Sequence, residues 1–226
     1  MDAQTDTLKE YRDKYQNRVV TDDYESLIQS PNSLRSLVDR RRVAALIIRL
    51  AELASIRRLL RRVPDSPLTL DVPCGGGKLL AVFSNRRRLI GVDASTAMLI
   101  HFKRNGGKEA IQADISALPL KGTTFGLVVC NRVLHRLPAI TRIAVLKELQ
   151  RVSAGWAIVY YAVGEPWGSR LARLEEALGL MIRRGIVFCS KSAARAEIQH
   201  TRWSIVTEKR VLLGLSGGYV FLLKKV

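Results

Sequence analysis

Residues 70–80 read LDVPCGGGKLL, a short apolar strand that runs into three glycines and restarts as a helix. This arrangement is typical of nucleotide-binding α/β folds, because glycines let the backbone turn tightly and let a ligand approach it closely. The loop is not of the Walker type, since neither Ser nor Thr follows Lys78 and the glycine spacing differs. The loop therefore predicts a ligand site without naming the ligand.

On both sides of the loop, apolar strands alternate with helices. Strands are predicted at 68–72, 89–92, 110–113, 125–130, 156–163, 203–213 and 219–223, and helices at 33–63, 79–84, 95–103, 137–152, 169–182 and 190–200. The alternation predicts a doubly wound, Rossmann-like sheet of seven strands that is mostly parallel. Only residues 214–218 separate the last two strands, too few for a crossover, so the last strand is predicted to be antiparallel.

The length of 226 residues fits one domain with a small appendage. We expect an N-terminal helical lid or extension over residues 1–32 and a single domain over 33–226. Residues 164–189 form a predicted insertion on the acceptor side of that domain.

The composition, 47% hydrophobic and 25% charged, is that of a globular protein rather than a disordered one. The apolar run 156–164 is far shorter than the roughly 20 residues of a membrane-spanning helix. The polar segment 1–10 has no apolar signal region, and three widely spaced cysteines suit a reducing compartment. A cytoplasmic location is expected, with peripheral attachment to the inner face of a membrane as an alternative.

The net charge is +17, and its densest basic block runs from Arg35 to Arg62, a stretch that includes the predicted basic helix Arg40 to Arg62. Such a surface favours nucleic acid, anionic lipid headgroups or phosphorylated substrates. A generally basic proteome, or a face that meets an acidic partner, explains the charge equally well.

Three carboxylates follow the ends of three successive predicted strands: Asp71, Asp93 and Asp114. Parallel strands end at the same edge of a sheet, so these acids should ring one nucleoside, with Asp93 placed to reach a ribose hydroxyl pair. Asp93 and Asp114 alone would also suit helix caps. All three acids together with the glycine loop favour a ligand site over helix caps.

Here the sequence resembles the class I S-adenosylmethionine-dependent methyltransferases, and among them the small-molecule group called methyltransferase type 11. The resemblance covers residues 68–163. Its motifs are Asp71 to Gly77, Gly91 to Leu99, Ala113 to Leu120, Asn131 to Leu137 and Leu146 to Val152. Pro73 and Gly126 depart from the family, which usually has glycine at the first position and often an acid at the second.

The resemblance implies S-adenosylmethionine as cofactor, S-adenosylhomocysteine as product, and a set of contacts. Asp71 and the backbone of Pro73, Cys74, Gly75 and Gly77 would hold the methionine part. The remaining implied contacts are Asp93 and Ala94 at the ribose, Asp114 and Ile115 at the adenine, and Asn131 beneath the methionine amino group.

Methyl transfer needs alignment and exclusion of water, and a general base only where the acceptor arrives protonated. His135 is the candidate base, since histidine titrates near neutral pH, and a loop-bracing role is its alternative. Candidate acceptor contacts are Tyr11, Tyr15, Tyr160, Tyr161 and Trp167. The three cysteines lack clustered ligand spacing, so no metal site is predicted.

Three classes of function remain open. The first is methylation of a small or amphiphilic acceptor, quinone-, lipid- or sugar-like, to which the resemblance points. The second is methylation of RNA, which the charge favours. The third is a scaffold without activity, against which the intact glycine loop and acids speak. The acceptor atom and the oligomeric state are not encoded in any motif.

Overall fold

The computed structural model describes residues 40–66, 68–83, 87–164, 189–212 and 217–226. The predicted extension 1–32, the helix 169–182 and the acceptor candidates Tyr11, Tyr15 and Trp167 lie outside the described residues. The domain boundaries predicted from the sequence stay predictions.

Helices and strands alternate along the described chain as the sequence predicts. The helices are α1 (Arg40–Leu60), α2 (Thr96–Arg104), α3 (Ala139–Val152) and α4 (Lys191–Gln199). The strands are β1 (Leu68–Asp71), β2 (Arg88–Asp93), β3 (Glu109–Gln112), β4 (Phe125–Cys130), β5 (Ser153–Ala162), β6 (Trp203–Arg210) and β7 (Gly218–Lys225). Ser95 and Ser190 cap α2 and α4, each accepting a hydrogen bond from the backbone N–H three residues on.

The seven strands form one sheet in the order β3-β2-β1-β4-β5-β7-β6. Neighbours from β3 through β5 are parallel, and β7 runs antiparallel to both β5 and β6. The prediction of a mostly parallel sheet with an antiparallel last strand is confirmed. β1, the first strand along the chain, lies in the middle of the sheet. The strand order reverses between β1 and β4, and open α/β sheets bind ligands at such a switch point.

The sheet buries a separate apolar cluster on each face. α1 packs Ile56 and Leu59 onto one face, against β4, β5 and β7. α3 and α4 cover the other face, where Leu146 and Ile198 are fully buried. Within the described ranges, no helix combines the length and the apolar character needed to cross a bilayer.

The segment after the glycine loop differs from its prediction. In place of a helix over 79–84, the structure has one 3-10 turn, Leu80–Val82, after which Phe83 is extended. The Arg57 guanidinium on α1 donates to the Ala81 carbonyl at 2.6 Å, a group that a continuing helix would use itself. The packing of α1 therefore overrides the local helical pattern.

Candidate active site

A cleft opens to solvent at the carboxyl ends of β1, β2 and β4. Eight sequence-predicted residues line it: Asp71, Pro73, Cys74, Gly75, Asp93, Ala94, Asn131 and His135. Six lining residues were not predicted: Lys78, Leu79, Ser95, Met98, Arg132 and Arg136.

The glycine loop is held open by a left-handed backbone and by bonds from other elements. Gly75 and Gly77 have φ values of +50° and +85°, which favour glycine. A Cβ at Gly77 would lie 2.5 Å from Leu80 Cδ1, so this residue shapes the turn and does not line the cleft. The Asn105 side-chain amide donates to the Gly76 carbonyl at 2.8 Å and fixes the loop from outside.

Asp93 joins the glycine loop to the start of α2. Its two carboxylate oxygens accept the backbone N–H groups of Gly75 and Ser95, each at 2.9 Å. Burial raises the pKa of Asp93, while these N–H donors act in the opposite direction. Asp93 is not itself the cap of α2, because Ser95 fills that position.

Asp71 is a buried carboxylate with no partner among the described residues. Its side chain is 1% exposed, and neither oxygen accepts a hydrogen bond. Burial first, and the nearby Asp93 second, raise the pKa of Asp71 well above its ordinary value. Burying such a group costs free energy unless a partner arrives, so the cleft suits a ligand that presents a cation or hydrogen-bond donors to Asp71.

A single carboxylate on α1 holds the segment that follows β4. Glu52 is 3% exposed, and its two oxygens accept the Asn131 side-chain amide and the Arg132 Nε, each at 2.7 Å. Arg132 has a φ of +60°, an uncommon backbone conformation for a residue with a side chain. Asn131 lines the cleft, and its Oδ1 has no hydrogen-bond partner among the described residues.

Sequence reasoning missed Glu52. The signal was present, since Glu52 is the only acid between residues 40 and 62 and stands at helical spacing from Ile48 and Ile56. A lone acid on the apolar face of a basic helix predicts a buried partner.

His135 lies in the 3-10 turn Leu134–Arg136 with its ring buried at the cleft. The ring meets the Tyr160 ring edge to face at a centroid distance of 5.7 Å, and its Nδ1 has no partner among the described residues. Burial, then the charges of Arg136 and Arg132, lower the pKa of His135 to about 3. A lowered pKa favours the neutral form of His135 and makes it a weak base, and its role as a general base stays a prediction.

Other predicted site residues are not brought to the cleft. Asp114 follows β3, where its Oδ1 accepts the backbone N–H of Ser116 at 2.9 Å and the hydroxyl at 2.7 Å, and neither it nor Ile115 lines the cleft. Tyr160 does not line the cleft, but its ring contacts the ring of His135, which does. Tyr161 packs into the cluster on the opposite face, where its hydroxyl donates to Glu197 at 2.9 Å.

Two of the described cysteines, Cys74 and Cys130, are buried. Burial raises the pKa of Cys74 and of Cys130, so both stay protonated thiols. Across the part of the chain that the structure describes, no three His, Cys, Asp or Glu side chains come together as a metal site.

A profile for the family described as "Methyltransferase domain" matches residues 70–159, the segment that carries the glycine loop, Asp93, Asn131 and His135. The segment 70–159 is therefore similar to methyltransferase domains, as its motifs predict. Two of the similar solved structures hold S-adenosylhomocysteine or S-adenosylmethionine.

Among curated proteins, the chain is 31% identical over 98 residues to the human "Probable tRNA methyltransferase 9B". This match covers 43% of the chain and only 21% of that relative's length.

Solved structures share the fold at low identity. The magnesium protoporphyrin IX methyltransferase from Synechocystis PCC 6803, with bound S-adenosylhomocysteine, has a TM-score of 0.75 and 16% identity over 96% of this chain and 99% of that one. A Thermotoga maritima methyltransferase, described as a possible histamine N-methyltransferase, has a TM-score of 0.61 and 16% identity over 80% of this chain and 92% of that one.

Proposed function

We propose that this domain transfers a methyl group from S-adenosylmethionine to a small or amphiphilic acceptor that is quinone-, lipid- or sugar-like. The observation that carries the cofactor part is the partnerless carboxylate of Asp71 in the cleft. The cofactor supplies a methyl carbon already activated by a sulfonium charge, so the protein need only bind, align and exclude water.

The residues present fit that cofactor. Asp71 would face its cationic ammonium, and the Asn131 Oδ1 would accept a further hydrogen bond from the same group. Asp93, with Ala94 beside it, would take the ribose hydroxyls, because each carboxylate oxygen has a second lone pair beyond those used by Gly75 and Ser95. The family resemblance supports Asp114 and Ile115 as adenine contacts.

For His135 we propose a positioning role at the acceptor rather than proton abstraction. A ring with a lowered pKa stays neutral and accepts a hydrogen bond, which orients a hydroxyl or amine acceptor without charging it. Its contact with the Tyr160 ring fixes the plane of the imidazole. The two side chains together form the proposed acceptor side of the cleft.

The charges around His135 favour an acceptor that is itself anionic. Arg132 and Arg136 both line the cleft beside it, and the Arg132 guanidinium lies 6.0 Å from the centroid of the Tyr160 ring. An aromatic wall with flanking cations suits a planar or acyl group that carries a carboxylate or phosphate. The magnesium protoporphyrin methyltransferase, similar along nearly the whole chain, acts on a substrate of this amphiphilic kind.

RNA is the second candidate acceptor. The human relative carries "tRNA methyltransferase" in its name, and the net charge of +17 favours nucleic acid. The basic helix Arg40 to Arg62 is the proposed contact with an anionic partner, either lipid at the inner face of a membrane or RNA.

One labelling experiment separates the acceptors. Protein is incubated with S-adenosylmethionine labelled in the methyl group, together with a total lipid extract or with total transfer RNA. The proposal predicts that label appears in the organic phase with the wild-type protein. It also predicts that this label is lost when the Asp71→Asn variant replaces the wild type. Label that stays with RNA and is sensitive to ribonuclease would overturn the small-molecule acceptor and leave the methyltransferase assignment intact.

A further inference from the structure

Helix α1 is apolar on two opposite faces. One face is buried against the sheet and carries Ile48, Glu52, Ile56 and Leu59 at steps of four, four and three. The opposite face carries four large apolar side chains that are open to solvent. These are Val43, Leu46, Ile47 and Leu50, which are 40%, 54%, 45% and 57% exposed.

The same outward face continues into arginines. From Leu50, steps of three and four lead to Ala54, then to Arg57 and Arg58, and then to Arg61, which directly follows the last residue of α1; all of them are exposed. Residues at these steps share one face of a helix. The outward face is therefore apolar in its first turns and cationic in its last, and Glu52 lies on the other side.

We propose that this outward face of α1, from Val43 to Arg61, docks on an anionic lipid surface. The apolar side chains would enter the boundary between headgroups and acyl chains, while the arginines bind lipid phosphates. Charge complementarity favours any polyanion, but an apolar stripe gains burial only on a lipid surface. RNA would contact the arginines and leave Leu46 and Leu50 in water.

Among the described residues, the other large exposed apolar side chains do not form a comparable surface. Ile100, Ile140 and Val206 stand on three different elements, α2, α3 and β6, and Val226 is the last residue. Single exposed apolar residues are ordinary on soluble proteins, whereas a contiguous stripe marks an interaction surface.

Docking through this face would leave the cleft on the other side of α1 from the lipid, about one helix diameter (~10 Å) away. The buried face of the same helix holds Asn131 and Arg132 through Glu52, and both residues line the cleft. The inference rests on the proposed function only in giving an amphiphilic acceptor a short path to the site. Docking itself does not require a particular acceptor.

Flotation with vesicles tests the proposal on the full chain. Vesicles of phosphatidylcholine, with and without phosphatidylglycerol, are compared at matched ionic strength, and total transfer RNA is titrated in parallel. Wild type should bind only the phosphatidylglycerol vesicles. Arg58→Gln/Arg61→Gln should weaken binding about 25-fold, at about fivefold per arginine near an anionic surface. Leu46→Gln/Leu50→Gln should weaken it by a similar factor, because each half-exposed leucine loses part of its transfer to lipid, worth about fivefold.

Matched variants control for charge and for apolar surface in general. Arg104→Gln/Arg202→Gln removes the same charge from exposed positions elsewhere, and Ile140→Gln removes an exposed apolar side chain from α3. Both should bind vesicles as wild type does. Calorimetry with S-adenosylhomocysteine on every variant should give unchanged affinity, so a failure of docking is distinguishable from a failure of the methyltransferase site.

Three outcomes would overturn the proposal. In the first, RNA binds, the arginine variant loses it and the leucine variant keeps it, which assigns the face to nucleic acid. In the second, vesicles bind equally to wild type and the leucine variant, which removes the apolar contact. In the third, neither vesicles nor RNA binds and the leucine variant lowers Tm, which means that the chain itself covers this face.

Discussion

Removing the Glu52 carboxylate should both destabilise the fold and weaken cofactor binding. In Glu52→Ala, two hydrogen bonds of 2.7 Å are lost, one from the Asn131 amide and one from the Arg132 guanidinium. The Glu52 side chain is 5% exposed and that of Arg132 is 38% exposed, so water replaces part of the second bond but little of the first. At about 1.5–3 kcal/mol per hydrogen bond to a charged group, discounted for this exposure, the expected loss is about 3 kcal/mol.

For a chain of this size, that loss corresponds to a fall in Tm of about 6–12 °C. The Tm of Glu52→Gln should lie between those of wild type and Glu52→Ala, because its remaining oxygen accepts only one of the bonds. Glu109→Ala is the matched control, since it breaks an exposed ion pair with Arg88 and should lower Tm by less than about 2 °C.

Calorimetry adds a readout that stability alone does not supply. Asn131 and Arg132 line the cleft, so Glu52→Ala should lower S-adenosylhomocysteine affinity about tenfold at a temperature where the variant is fully folded. A Glu52→Ala protein with unchanged Tm would refute the assigned bonds. A lowered Tm with unchanged affinity would confine Glu52 to the fold.

Three further predictions concern the loop and the buried titratable groups. Gly77→Ala should cost about 1–3 kcal/mol in denaturant unfolding, because its φ is +85°. Since the pKa of Asp71 is raised, its contribution to the stability of the free protein is full below about pH 4 and is lost as pH rises through the raised value. A ligand ammonium should therefore bind more tightly as Asp71 ionises, and Asp71→Asn should abolish this pH dependence in calorimetry. His135, with its pKa lowered to about 3, contributes stability above about pH 6.5 that is lost as pH falls. The Tm difference between wild type and His135→Gln should accordingly shrink from pH 7 to pH 4.

The fold was predictable because its signals are local. Alternating strands and helices, the glycine loop at 70–80 and the short last connection determine a parallel sheet with an antiparallel last strand. The same holds for Ser95 as the cap of α2, since its hydroxyl and the backbone N–H that donates to it lie within one turn of each other.

The site was predictable only in part, because its chemistry depends on burial and on distant elements. The pKa of His135 follows from its depth beside two arginines, which no local pattern reports. The bond from Glu52 to Asn131 spans 79 residues. The outward face of α1 was hidden in the sequence because apolar residues on both faces cancel the usual amphipathic signal.

The central claim, that this cleft binds S-adenosylmethionine through its acidic edge, is tested most directly by titrating S-adenosylhomocysteine into wild type, Asp93→Ala and the surface control Glu109→Ala. The account predicts binding to wild type and to the control. It predicts a loss of at least about 100-fold for Asp93→Ala, because two hydrogen bonds from ribose hydroxyls to a charged group are removed. Equal affinity in a folded Asp93→Ala protein, or no binding to wild type, would contradict it.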